Sequence, residues 1–423
     1  MVDATPFHCE LPPAAGAAVS IVRELVAAGH QALLAGGCVR DLLLGLRPLD
    51  FDVATDATPE RICQLFARTR KVGAQFGVVL VRKHRRWIEV ATFRSDGEYL
   101  DGRRPSEVHY SDARHDAQRR DFTVNGMFLD PTEQMLIDYV GGQADLQAGL
   151  IRAIGDPAAR FDEDHLRLVR AVRFAARLGF EIESVTFAAL KASARQLASI
   201  ASERVLQELE KMLTHPTRKR AFMLLSEAGL LPYLWPGAAW RREQIVAAAA
   251  LLERVPQRAS FPLVFAVLVS DRSRKDVNDI CRALTFSNEQ REQSLWLIEH
   301  HADLDDPERI SLAALKRLLA QPAFPDLHAW AEARFQEMPD GVQRSELLAT
   351  RVAAIPPEAV QPAPFVSGDD LAQRGVKPGP IYGRVLDVLY TRQLDETLPD
   401  RSAALHALDT LLAETAGEDR PAE

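Results

Sequence analysis

The rhythm of hydrophobic and polar positions changes once along this chain, near Phe161. Before it, short apolar runs alternate with amphipathic stretches and turn residues, as in mixed α/β structure. Ala17 to Ala28 predicts an amphipathic helix, Ala32 to Leu34 the start of a buried strand, and Val39 to Leu46 a short helix. Leu49 to Ala54 then alternates as a strand does. Thr58-Pro59-Glu60-Arg61 sets Thr at an N-cap and Pro at the first helical position. Gly77 to Val81 and Trp87 to Phe93, rich in Val, Ile and aromatics, predict a hairpin around the basic loop 82–86.

From Phe161 onward strand signals fade. Helical spacing of Ala, Leu, Arg and Glu dominates, interrupted at Pro216, Pro232, Pro236, Pro256 and Pro262. The pattern predicts an α/β head of about 150 residues followed by all-α structure. The segment 356–364, Pro-Pro-Glu-Ala-Val-Gln-Pro-Ala-Pro, is the expected linker to a small helical tail. There is no internal repeat.

Composition narrows the class. At 423 residues the chain exceeds one ordinary core, and 47% hydrophobic with 26% charged residues is a globular balance. No apolar run approaches the ~20 residues that span a bilayer, and the N-terminus lacks the pattern of a secretory signal. Cys9, Cys38, Cys63 and Cys281 are scattered without a Cys-x-x-Cys pair, which argues for a reduced, cytoplasmic setting and against structural zinc. A net charge of −8 does not advertise nucleic-acid binding, although a long acidic chain can carry a local basic groove. Basic clusters stand at 82–86, 103–104, 119–120 and 218–220, and in the series Arg167, Arg170, Arg173, Arg177.

The candidate chemistry lies early. On a strand, Asp50 and Asp52 would share one face while Phe51 turns to the core, an oxygen pair suited to Mg²⁺. Gly36 and Gly37 allow a tight strand-to-helix turn whose amides can approach a polyanion, and Arg40 follows in the first helical turn. Glu89, acidic within an apolar strand, is the candidate third carboxylate, with Asp121 the weaker alternative. His300, His301 and Asp303 lack a second His-Asp group, so no metal-dependent phosphohydrolase site is expected there.

The stretch Leu34-Ala-Gly-Gly-Cys-Val-Arg-Asp41, with Leu49-Asp-Phe-Asp-Val-Ala-Thr55, resembles the signature of class II CCA-adding enzymes and bacterial poly(A) polymerases, members of the DNA polymerase β superfamily. Arg119-Arg-Asp-Phe-Thr-Val-Asn125, Asp138-Tyr-Val-Gly-Gly142 with Ile151-Arg-Ala-Ile-Gly-Asp-Pro157, Phe161 to Phe174, and Ser202 to Leu213 resemble its further motifs in order, so the likeness covers about residues 30–215. Gly126 and His165 stand where Ala is usual. The resemblance implies a small mixed nucleotidyltransferase sheet with helices (1–150), a neck with a nucleotide-selecting helix (151–215), and a helical body (216–355) and tail (365–423) that bind RNA. It implies two Mg²⁺ ions at Asp50 and Asp52, triphosphate contacts from Gly37, Arg40 and Arg120, base reading by Asp164 and Arg167, and support from Arg170 and Arg173. The implied partners are the tRNA 3′ end, CTP and ATP, with no obligate protein partner evident.

The base readers have a chemical logic of their own. Three apart on one helix, Asp164 and Arg167 would be neighbours, one only accepting and the other only donating hydrogen bonds. Cytosine and adenine each offer an amino donor beside a ring acceptor; guanine and uracil offer the reverse. A mismatch would strand charged groups at about 1–3 kcal/mol each or more. Lys71 to Val81, the polar stretch 95–118 and the tail from Phe365 to Gly383 resemble CCA-adding enzymes more than poly(A) polymerases. The expected activity is therefore complete CCA addition. The alternatives are a poly(A) polymerase, an A-adding specialist, and, more remotely, a non-catalytic RNA-binding protein.

Overall fold

The computed structural model describes residues 3–72, 77–97, 108–235 and 240–418. The middle of the polar stretch 95–118 and part of the segment 71–81 lie outside the described residues. The chain divides into two compact units, Met1–Ala249 with Ile280–Thr285, and Ala250–Asp279 with Phe286–Glu423.

The first unit carries the sheet. Its strands are β1 (Asp3–Pro6), β2 (Ala32–Ala35), β3 (Asp52–Thr55), β4 (Thr69–Lys71), β5 (Val78–Lys83), β6 (Arg86–Thr92), β7 (Arg94–Asp96), β8 (Val108–Tyr110), β9 (Phe128–Asp130) and β10 (Met135–Asp138). Eight of them form one mixed sheet in the order β1-β10-β9-β2-β3-β6-β5-β4, while β7 and β8 pair separately. All its neighbours are antiparallel except β3 and β6. The crossover between those two holds α3 (Pro59–Leu65), capped by Thr58, whose side chain accepts from Arg61 N.

The predicted elements form with shifted ends. Helix α1 is Gly16–Ala27, and α2 is Gly37–Leu43, beginning directly at the glycine turn. The hairpin is tighter than the sequence suggested. Strands β5 and β6 run into the basic loop and leave only His84 and Arg85 to turn, both at positive φ. Alternation decides burial. Leu34, Val53, Val79, Val81 and Val90 are wholly buried on one face, toward α1. Leu33, Ala35, Ala54, Phe93 and Phe128 make the core of the other, together with Ala113 and Ala117 of α4 (Ala113–Gln118). Phe93 and Phe128 meet edge to face at 6.0 Å.

Helices follow: α5 (Gly142–Ala148), α6 (Pro157–Glu163), α7 (Arg167–Leu178), α8 (Ser184–Ser193), α9 (Ser202–Leu213) and α10 (Arg218–Glu227). A two-residue pair joins β11 (Leu150–Ile151) to β12 (Glu181–Ile182), and β12 is the one strand among the described residues beyond Phe161. The second unit is helical among its described residues. Buried Lys316 donates to Leu394 O and pairs with Glu396, and Val366, Leu371, Val385, Leu389 and Leu408 share an apolar cluster. The Pro-rich linker contains a helical turn, Pro357–Val360. Among the described residues no helix is long and apolar enough to cross a membrane.

Candidate active site

Asp50 and Asp52 lie where the chain enters β3. The strand begins at Asp52, so Asp50 belongs to the extended lead-in and not to the strand itself. The alternation survives: Phe51 is 3% exposed while both aspartates are open to water. The parallel register sets Val53 opposite Val90, which brings Glu89 into the row of Asp52. The three carboxylates line one pocket of about 550 Å³ together with Leu80, Arg86 and Trp87.

Crowding of like charge shows in Asp52. Although its side chain reaches water, it sits in a recess of the protein. Burial, then the charge of Glu89 and to a lesser degree that of Asp50, push its pKa up to about 6 against the pull of Arg120. A divalent cation would reverse that balance. The donors are oxygen only, open on one side, and fit a hard ion. Among the described residues no three or more His, Cys, Asp or Glu form a ready-made metal cage.

The glycine turn borders this pair on the β2 side, where Ala35 stands opposite Asp52. Gly36 takes φ +75°, which favours glycine at the turn, and a Cβ there would lie 2.9 Å from Arg120 Nη1, so that guanidinium would have to shift. Arg120 pairs with Asp116 and donates to Asn125 O. Arg40 is not an open phosphate ligand in this arrangement. It is 3% exposed, and its guanidinium donates to Asp41 Oδ1 and, at 2.6 Å, to Asn125 Oδ1. It braces the turn from inside.

Asn125 continues the chain of contacts by donating to Asp121 Oδ1, and Arg170 donates twice to Asp121 Oδ2 at 2.9 and 2.6 Å. Burial raises the Asp121 carboxyl, but the Arg170 charge and the hydrogen bonds from Asn125 and Arg170 outweigh it and hold the pKa at about 2. Asp121 is thus committed to α7 and lies outside the carboxylate pocket, which leaves Glu89 beside the pair. Arg173 donates to Glu208 Oε2 on α9 at 2.6 Å.

The expected base readers do not lie on one helix. Asp164 follows the end of α6 in an extended conformation, and α7 starts only at Arg167, whose amide donates to Asp164 O. Asp164 Oδ2 accepts from Arg204 Nη2 at 2.9 Å. Arg167 donates to Glu163 Oε2 at 2.6 Å and to the carbonyls of Arg160 and Arg119. Among the described residues the two make no side-chain hydrogen bond to each other. The turn still keeps them close, each held by its own partner.

Several residues of this network were not anticipated: Asp116, Asn125, Glu163, Arg204 and Glu208. A signal existed, because an arginine series on an apolar helix points to phosphate or carboxylate partners facing it. Gly126 has a local reason, since a Cβ there would lie 2.6 Å from Val140 Cγ2.

Residues 32–152 match the model of the Poly A polymerase head domain, and 179–241 that of the probable RNA and SrmB-binding site of polymerase A. The CCA-adding enzyme of Geobacillus stearothermophilus is 34% identical over 398 residues, covering 92% of this chain and 95% of that protein. The CCA-adding enzyme of Lactiplantibacillus plantarum is 31% identical over 420 residues, covering 96% and 98%. The crystal structure of Bacillus stearothermophilus CCA-adding enzyme in complex with CTP superposes with a TM-score of 0.82 at 29% identity, covering 96% of this chain and 100% of that one.

Proposed function

The chain belongs to the CCA-adding enzyme family, and from that premise we propose that it adds C, C and A from CTP and ATP, without a template, to the 3′ end of tRNA with release of pyrophosphate. The observation that carries this is the meeting of Asp50, Asp52 and Glu89 in one pocket beside the Gly36-Gly37 turn. Such a juxtaposition serves in-line transfer of a nucleotidyl group.

The family is metal-dependent in general. In this chain Asp50 and Asp52 would hold Mg²⁺, as two ions, which when bound polarise the α-phosphate and neutralise charge on the leaving group. Gly37, at the start of α2, receives the triphosphate through backbone amides, and Arg120 adds positive charge beside it. Arg40 serves through the turn that it stiffens. Glu89 stands beside Asp52 where the tRNA 3′ hydroxyl must give up its proton. Asp164 and Arg167 read the base edge, while Arg170 and Arg173 fix the wall behind them through Asp121 and Glu208. Residues 1–150 perform transfer, 151–215 select the nucleotide, and 216–355 with 365–423 grip the tRNA. A cytoplasmic setting suits the four free thiols.

The test offers three tRNAs, ending before the first C, after the second C, and after the A, with CTP, ATP and Mg²⁺. Sequenced products should all end in one CCA, and the third tRNA should gain nothing. Continued addition of A would favour a poly(A) polymerase, the activity for which the matched head-domain model is named. Asp164→Ala is expected to lower discrimination against GTP and UTP by about ten- to a hundredfold while transfer continues. Undiminished C and A selectivity in that variant would remove Asp164 from the reader.

A further inference from the structure

Most arginines around the active site end on carboxylates; Arg70 and Arg82 do not. Among the described residues neither makes an ion pair, and both face Trp87. The guanidinium carbon of Arg70 lies 4.5 Å from a Trp87 ring centroid and that of Arg82 5.9 Å. Trp87 is 37% exposed, so ring surface is open to a partner.

Register places this cluster on the catalytic face. Arg82 is opposite Trp87, Leu80 opposite Glu89, and Arg70 opposite Leu80. Arg70, Leu80, Arg82, Trp87 and Glu89 therefore point the same way, while the intervening Val79, Val81, Ile88 and Val90 are buried beneath. Trp87 is two residues from Glu89 and lines the same pocket as the three carboxylates.

The order of strands decides which substrate comes this way. Strand β3 lies between β2, which carries the glycine turn, and β6. In-line displacement sets the leaving pyrophosphate and the attacking hydroxyl on opposite sides of the phosphorus. With the triphosphate on the turn side, the hydroxyl arrives over β6, β5 and β4. On that face those strands carry Arg70 and Arg82 against Glu89, and Arg86 lines the carboxylate pocket itself, in a chain of net charge −8. An aromatic face set among basic groups is how proteins hold single-stranded nucleic acid.

We propose that Arg70, Trp87 and Arg82 form the landing site for the 3′-terminal nucleotide of the acceptor RNA. Its base stacks on the Trp87 ring, and its phosphate is met by the two guanidiniums. This rests on the proposed function, because it requires an RNA 3′ end as acceptor.

The test uses the full chain with CTP and tRNA lacking its CCA end. Trp87→Ala should raise KM for tRNA about tenfold while KM for CTP stays unchanged and kcat holds within about twofold. Trp87→Phe should restore most of the loss. The double variant Arg70→Gln/Arg82→Gln should flatten the slope of log KM for tRNA against log salt by roughly 0.7–1.4. An unchanged tRNA KM in Trp87→Ala, or a raised CTP KM in its place, would overturn the landing site. If the wild-type chain transfers nothing, it is the proposed function that falls.

Discussion

Asp52→Ala is expected to reduce nucleotide transfer by roughly three orders of magnitude or more while leaving tRNA binding intact. Asp52 is the strand member of the carboxylate group, flanked by Glu89 across the parallel β3–β6 pair and by Asp50 in the lead-in. Removing it takes away the carboxylate that stands between the other two, and Asp50 with Glu89 would not hold a divalent ion as the proposed pair does. The fold should not suffer, because the same substitution removes a carboxylate whose pKa burial, and then the charges of Glu89 and Asp50, push up to about 6. Thermal unfolding of Asp52→Ala should therefore occur at or above the wild-type temperature, and a filter-binding measurement should return the wild-type tRNA affinity. Transfer at a tenth of the wild-type rate or faster would exclude Asp52 as an essential ligand.

Asp121→Asn is expected to destabilise the chain by about 2–3 kcal/mol at neutral pH, the largest stability effect anticipated around the site. Its carboxyl falls from an ordinary ~3.9 to about 2 on folding, which corresponds to that free energy by proton linkage. The substitution also takes from Arg170 the charged oxygen that accepts two of its N–H groups. The pH dependence has a definite sign. A depressed folded pKa contributes stability that is complete above the unfolded value, near 4, and lost as pH falls toward 2. Urea unfolding of wild type and variant should thus differ most at pH 7 and converge through that acid window. A gap that stays constant with pH would mean that the loss comes from packing and not from the ion pair. Because Asp121 links Asn125 and Arg40 to α7, the variant should also lose activity in excess of its lost stability.

The legible part of the site was the local part. Gly36-Gly37, Asp50-x-Asp52 and the Thr58-Pro59 cap each depend on neighbours within a few residues, and each appears where the sequence put it. Asp164 and Arg167 were harder to place. Helical spacing spoke for one continuous helix, yet the chain stops α6 at Glu163 and restarts α7 at Arg167. Asp164 is better satisfied accepting from Arg204 and from the Leu166 amide than within a continuous helix. Arg40 shows the same limit. Its position in the motif was visible, but whether its guanidinium faced substrate or core depended on Asn125, far along the chain.

By itself the sequence determined the faces: alternation sends Phe51 inward and the aspartates outward, and two glycines permit the turn, because these follow from backbone geometry over a few residues. Only the tertiary structure decided the partners. The parallel pairing of β3 with β6 selects Glu89 over Asp121 as the neighbouring carboxylate and brings Trp87 to the same pocket. The packing of α7 against its neighbours likewise gives Arg170 to Asp121 and Arg173 to Glu208. Such choices come from packing between distant segments, where burial leaves few ways to satisfy every charge at once.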